Sequence, residues 1–522
     1  MLRHPLILKP SRPCRLWVAA WLGFAAAAQG TWQDDIGYTQ LAAELGAAMP
    51  TGAGIALLQA EASSATPIPD YLPQAGGPDA FAGTSIHTGK TFHPESGEGA
   101  FANHPFSVSA YFYGNDIGVA RGATEIHCYE VVDFLNKLYA GTSPPTFPGL
   151  VQNHSWVGAT GDNAVDTQVL RRFDYMIERD GCSAAVPLGN GPAAMQAFMG
   201  NSYHAISAGL LSGSHSLGGT NVDGSGRMKP DLVVNEGQTS YASPVIAGCV
   251  AALLESAGTA NASARKPQVI KALLLAGASK RNLPQWQRDS DAQPYDDVFG
   301  AGEVNLRNAY YIQQGGQQTY STSVERSRRG WDYATTTTSA TGRRYFFSVP
   351  AGQYARTFSA ALIWHRSLVR IAGSYTSSLA NLNLRLYATD NFAVVGGAIG
   401  SSISAVDNVE HLHFYNLPPG QYAIEVTAGT LNQPYALAWD ATLSAGPQLA
   451  SHVSEGQLWL DASNLDPLLT YTIEAAPSPT GEWMTEHTFR TADTTASFSY
   501  SWQAPAPAGT RRFYRLQWTP VR

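Results

Sequence analysis

Near residue 315 the hydrophobic period of this chain changes, and that break constrains the fold more than any other feature. Upstream of it, short apolar runs alternate with helical stretches and Gly-rich turns. GAGIALLQAEA (52–62), EIHCYEVV (125–132), LVQNHSW (150–156) and the small-residue run CSAAVPLGNG (182–191) read as strands. HPFSVSAYFYG (104–114), VDTQVLRRFDYMIERDG (165–181), SPVIAGCVAALLESA (243–257) and PQVIKALLLAGA (267–278) read as helices. Buried strands separated by helices require a parallel α/β sheet. Downstream the period falls to two, in RRYFFSVPAG (343–352), FSAALIWHR (358–366), NLNLRLYATD (381–390), VEHLHFYNLPPG (409–420) and QYAIEVTAG (421–429). Such spacing, punctuated by Gly- and Pro-containing turns, predicts an antiparallel sandwich or jelly roll. LWLDASNL and RRFYRLQW mark a further small β-module at the end.

The balance of residues narrows the function classes. With 44% hydrophobic and 14% charged residues among 522, the chain is globular rather than disordered. A net charge of −7, with no cluster of basic residues, argues against nucleic acid as the main partner. Four cysteines (Cys14, Cys128, Cys182, Cys249) make neither a disulfide framework nor a metal-ligand spacing. Cys128 and Cys182 are candidates for pairing in an oxidising compartment, or equally small hydrophobes. The opening residues carry Arg3, Lys9, Arg12 and Arg15, then an apolar run from Leu16 to Ala25, then Ala26–Ala28. This is the pattern of an export signal, with a mature start expected near Gln29 to Thr31. The expected organisation is a signal over 1–28, a short lead over 29–45, an α/β domain over 46–314, a β-sandwich over 315–445 and a β-module over 446–522. A secreted or periplasmic monomer with no membrane span after signal removal is expected.

One segment carries chemistry. In GQTSYASPVIAG (237–248), Ser240 precedes an amphipathic helix, where its hydroxyl can be presented at a helix N-terminus. Pro244 is expected near the helix start, where its missing N–H is harmless, and Ala242, Ala247 and Gly248 would bring the helix close to the sheet. Taken alone, such a serine is simply an N-cap.

Several blocks together make a stronger case. The segment resembles the active-serine block Gly-Thr-Ser-Met-Ala-x-Pro of the subtilisin-like serine proteases, with an inserted Gln238 and with Tyr241 in place of Met. GRMKPDLVV (226–234) and FGAGEVNLRNA (299–309) are similar to flanking family segments. NHPFSVSAYFYGNDIGVARGA (103–123) resembles the histidine block, with Pro105 and Ser107 replacing a glycine and a second histidine. The resemblance implies Ser240 as nucleophile and His104 as base. Glu61 stands where the family has Asp; its extra methylene demands a different backbone separation, and Asp70 and Asp79 are distant substitutes. Asn190 is implied as oxyanion donor, its alternative reading being a turn residue. His93, His154, His204 and His215 lack the helix-and-turn setting. Residues 150–158 correspond to the substrate-lining strand, where Ser155 and Trp156 would shape a pocket unless Trp156 fills the core.

The resemblance implies an exported serine endopeptidase acting on protein or peptide substrates, with no cofactor needed for chemistry. Structural calcium is common in the family, but no Asp-rich loop here assigns a site. The competing class is a catalytically inactive extracellular binding protein on a decayed protease fold, for which Glu61, Pro105 and Ser107 argue. A zinc HExxH, a phosphate loop and a dinucleotide fingerprint are absent from the sequence. SGSHSLG (212–218) lacks the strand–turn–helix setting of a nucleophile elbow. The interval between the signal and the first strand leaves no room for a folded inhibitory pro-domain.

Overall fold

The computed structural model describes residues 31–65, 67–73, 86–193, 198–337, 342–465, 470–490, 498–505 and 512–519. The expected signal, Cys14 and Asp79 lie outside these. The first part runs α1 (Thr31–Asp35), α2 (Tyr38–Leu45), β1 (Leu57–Glu61), β2 (Thr91–Pro94), α3 (Asn103–Phe112), β3 (Glu125–Glu130), α4 (Val131–Tyr139) and β4 (Val151–His154). It continues through α5 (Asn163–Asp180), β5 (Ser183–Pro187), β6 (Ile206–Leu210), β7 (Leu232–Val234), α6 (Thr239–Ala257), α7 (Pro267–Gly277) and α8 (Leu306–Gln314). The seven strands form one parallel sheet in the order β2-β3-β1-β4-β5-β6-β7. The expected α/β class is the one observed. Because β1 leads outward to β2 and β3 on one side and β4 starts the other side, the sheet has its topological switch between β1 and β4. Crevices for ligands in open parallel sheets lie at the carboxyl ends of strands at such a point.

Two local expectations shift. The strand expected over 125–132 stops at Glu130, whose carboxylate caps α4 by accepting the Asp133 N–H at 2.9 Å. The helix expected from 243 begins at Thr239, so Pro244 sits inside α6 rather than at its start. Gly248 brings α6 close to the 114–123 segment, not to the sheet as expected: a Cβ there would lie 2.5 Å from the Val119 Cβ. Cys128, Cys182 and Cys249 are free and buried, which corrects the Cys128–Cys182 pairing. Cys128 and Cys182 belong to the cores on opposite faces of the sheet.

Next come β8 (Arg329–Thr335), β9 (Arg343–Val349), β10 (Tyr354–Trp364), β11 (Ser367–Ile371), β12 (Ser374–Ser378), β13 (Leu382–Asp390), β14 (Ala393–Ser402), β15 (Val409–Leu417), β16 (Gly420–Ala428) and β17 (Pro434–Ser444). They form antiparallel sheets β15-β10-β17-β8 and β14-β13-β16-β9, with β11–β12 as a separate hairpin. Finally β18 (Gln448–Ser454), β19 (Gln457–Leu465), β20 (Thr470–Ala476), β21 (Met484–Arg490), β22 (Phe498–Gln503) and β23 (Phe513–Thr519) make two three-stranded antiparallel sheets.

The sandwich is fused to the parallel-sheet region through β10 and β17. Along β10, Ala360, Leu362 and Trp364 face the sandwich interior, while Ala361 and Ile363 join Leu273 and Leu274 in the core that also holds α6. Ala436 and Ala438 of β17 add to this second side, and their small size admits α7. A buried polar joint lies beside it. Arg366 pairs with Asp174 of α5 at 2.8 Å and with Asp223 at 2.5 Å, and its N–H donates to His204 Nε2 at 3.1 Å. His204 donates from Nδ1 to the Asp174 carbonyl at 2.8 Å, which fixes it as a neutral ring. Its pKa falls to about 3, because burial penalises the charged form.

Candidate active site

Glu61 ends β1, so its side chain stands at the carboxyl edge of the sheet, beside the switch point. It is fully buried. Gln59, two residues earlier on the same face of the strand, donates its amide to Glu61 Oε1 at 2.9 Å and to the Pro105 carbonyl at 2.9 Å. The Tyr113 hydroxyl donates to Gln59 Oε1 at 2.5 Å, completing a buried chain that aims the carboxylate. Gln59 carries no charge itself; its role is to orient the residue that does. Pro105 occupies the first turn of α3, where no intrahelical N–H partner is lost.

His104, in the first turn of α3, donates from Nδ1 to Glu61 Oε2 at 2.8 Å. The carboxylate only accepts, so this bond fixes the tautomer and leaves Nε2 with its lone pair. The longer Glu side chain therefore meets the ring at ordinary hydrogen-bond distance. Burial on its own would lower the His104 pKa, but the hydrogen bond and charge of Glu61 outweigh it and raise the value. Asp70, a proposed substitute for the acid, is occupied elsewhere. It accepts from Ser63, Ser64 and Ala65 in its own loop, and those bonds hold its pKa down against burial.

Ser240 is the second residue of α6. Pro244 has no N–H to give the Ser240 carbonyl four residues back. That carbonyl instead accepts from the Ser155 hydroxyl at 2.9 Å, just beyond the end of β4. Ser155 accepts from Asn153 Nδ2 at 2.9 Å, and Asn153 Oδ1 accepts from the Ser243 hydroxyl at 2.7 Å. A side-chain relay thus locks the first turn of α6 onto β4 and fixes the Ser240 backbone. The pocket role expected for Ser155 and Trp156 is corrected: Ser155 serves this relay, and Trp156 is buried against His154 and Phe198. Nor can the strand part of 150–158 pair with a peptide, since Val151–Asn153 are already bonded to β1 and β5.

Asn190 follows β5 and is tied to the same helix start. Its Oδ1 accepts from the Thr239 N–H at 2.9 Å and the Thr239 hydroxyl at 3.0 Å. An N–H can only donate, so the amide oxygen faces Thr239 and the Nδ2 donors face away from it. The left-handed turn falls on Gly191 (φ +78°), not on Asn190. Gly189 is needed for close approach, since a Cβ there would lie 2.5 Å from Ser216 Oγ. Tyr241 brings the two helix starts together: its ring lies 6.4 Å from that of His104, with planes 29° apart. Glu61, His104, Asn190 and Ser240 therefore gather at one end of the sheet. The other histidines do not join them: His154, His204 and His215 are buried elsewhere, and His93 pairs with Glu125 on the surface. Among the described residues no group of three or more His, Cys, Asp or Glu could hold a metal ion.

Signals for the supporting residues were faint in sequence. Only the four-residue spacing between Ser240 and Pro244 hints at the orphaned carbonyl. Thr239 sits next to the serine, but its link to Asn190 spans 49 positions.

No family model matches the chain, and no curated protein does. Among solved structures it is similar to the patellamide maturation protease PatA, at 16% identity and TM-score 0.32, over 50% of this chain and 98% of that one. It is similar to a protease of Pseudoalteromonas arctica at 15% identity and TM-score 0.30, over 53% and 97% of the two chains. A cold adapted subtilisin-like serine proteinase is similar at 15% identity and TM-score 0.30, over 49% of this chain and 88% of that one.

Proposed function

We propose that this protein is an exported serine endopeptidase that hydrolyses peptide bonds through Ser240, His104 and Glu61, with Asn190 as oxyanion donor. The observation that carries the reading is the buried Glu61 carboxylate bonded to the accessible His104 ring at 2.8 Å, beside the helix start that holds Ser240. In the proposed reaction, His104 Nε2 takes the Ser240 hydroxyl proton as Oγ attacks the scissile carbonyl carbon. Glu61 stabilises the imidazolium that forms and keeps Nδ1 protonated. Asn190 Nδ2 and the Ser240 N–H donate to the oxyanion, where the positive end of α6 adds to the field. The proton then passes from His104 to the leaving amine, and water repeats the sequence on the acyl-enzyme. Loss of one oxyanion donor is expected to cost about 3–4 kcal/mol of transition-state stabilisation.

Export rests on the basic, apolar and small-residue order of residues 1–28. The test is cleavage of an unfolded protein substrate by purified chain, with products identified by mass spectrometry. Parental protein should cut internal peptide bonds and Ser240→Ala should not. Equal cleavage by both would reject the assignment.

A further inference from the structure

Four aromatic rings run in a column from the first helix to the catalytic histidine. Trp32 of α1 lies 5.6 Å from Tyr111 of α3, and Tyr111 stacks on Tyr241 at 5.1 Å with planes 18° apart. Tyr241 in turn lies 6.4 Å from His104 with planes 29° apart. His104 and Tyr111 are seven residues apart on one helix, hence on the same face two turns from each other. The Tyr111 hydroxyl lies near the Glu236 carboxyl, in the loop that leads to Ser240.

We infer that Tyr241 is a positioning residue for His104, a wall braced by Tyr111 and Trp32 that keeps the imidazole in the rotamer bonded to Glu61. The inference rests on the proposed hydrolytic reading and deepens it. His104 is restrained by one hydrogen bond at Nδ1, while its side chain is 42% exposed. A half-exposed ring with one bond has other rotamers open to it, and in each of them Nε2 leaves the nucleophile. A nearly parallel ring beside it removes part of that freedom. The groups able to change the charge around His104 are Glu61 from β1 and, past the Tyr111 hydroxyl, Glu236. Tyr113 reaches Glu61 only through Gln59. Tyr111 stays neutral, its pKa raised by burial and by the Glu236 charge.

The experiment uses the full chain and needs no known substrate. The second-order rate of inactivation by a fluorophosphonate is followed against pH for the parent, Tyr241→Leu and Tyr241→Phe. The His104 midpoint is also read by nuclear magnetic resonance in a Ser240→Ala background, where chemistry plays no part. Tyr241→Leu is expected to lower the plateau rate about 10-fold or more and to move the His104 midpoint down by about half a pH unit, because the Glu61 bond that raises it is less well held. Tyr241→Phe, which keeps the ring, should restore both. Parental rate and midpoint in Tyr241→Leu would overturn the positioning role alone. A parent that never reacts, with a midpoint indifferent to Tyr241, would overturn it together with the hydrolytic reading. Circular dichroism of the Leu variant, expected to match the parent, separates either result from misfolding.

Discussion

Two carboxylate–imidazole pairs in this chain have opposite burial. In the first, Glu61 is fully buried and His104 is 42% exposed. In the second, Glu178 is 48% exposed and His365 only 4%. Both imidazoles donate Nδ1 to a carboxylate, so bond type does not distinguish them. Which partner is buried does. A buried charge under an accessible ring leaves Nε2 facing outward, ready to exchange a proton. A buried ring under an accessible charge is sealed: His365 stacks on His204 at 3.7 Å with planes 9° apart, beneath the joint between the sandwich and α5. The first pair suits chemistry and the second fastens two parts of the chain.

Changing the acids should separate the two pairs. Glu61→Gln should lower turnover by about 10⁴, because the amide imposes the wrong imidazole tautomer. The loss should persist on the alkaline plateau, measured by initial rates across pH. In the parent, activity should rise with pH through the raised His104 pKa, placing the acid limb above 6.5. Stability runs the other way for this pair. Its contribution is complete below 6.5 and is lost as pH rises through the raised folded-state value.

Glu178→Ala should leave turnover at the parental level and cost about 1–3 kcal/mol in denaturant unfolding, since it strands the buried His365 donor. The His365 bond and charge lower the Glu178 pKa to about 2 against the opposing effect of burial. Its stabilisation is therefore present above 4.5 and disappears as pH falls toward 2. The smallest change is expected at His452, paired with Asp461 on the exposed face of β18 and β19. His452→Ala should alter unfolding free energy by less than about 1 kcal/mol and leave turnover unchanged. A larger effect there would mean that exposure does not govern these pairs.

The first pair was legible in the sequence and the second was not, for a physical reason. Glu61, His104 and Ser240 each sit in a short block that resembles a protease-family block, so each is flagged by the residues next to it. The period change near 315 likewise announces the antiparallel sheets. By contrast, the joint depends on partners 162 and 187 residues apart, His204 with Arg366 and Glu178 with His365. Nothing local flags them. Pro244 shows a middle case. Its position was read correctly as a missing donor but placed at the wrong helical site, because the helix gains four residues from the Asn190 and Ser155 contacts at Thr239 and Ser240. The apolar run Ala360–Trp364 of β10 reads in sequence as part of an ordinary sandwich strand, although burial on both faces is the signature of a sheet covered twice.

Covalent capture of the nucleophile reads the proposed chemistry without any assumption about substrate. The purified chain is treated with a serine-directed phosphonate, digested, and the modified peptide is sequenced by tandem mass spectrometry. The adduct should fall on Ser240 within GQTSYASPVIAG, form faster as pH rises through the His104 transition, and vanish in Ser240→Ala. An adduct on another residue, or none on folded protein at alkaline pH, would contradict the assignment.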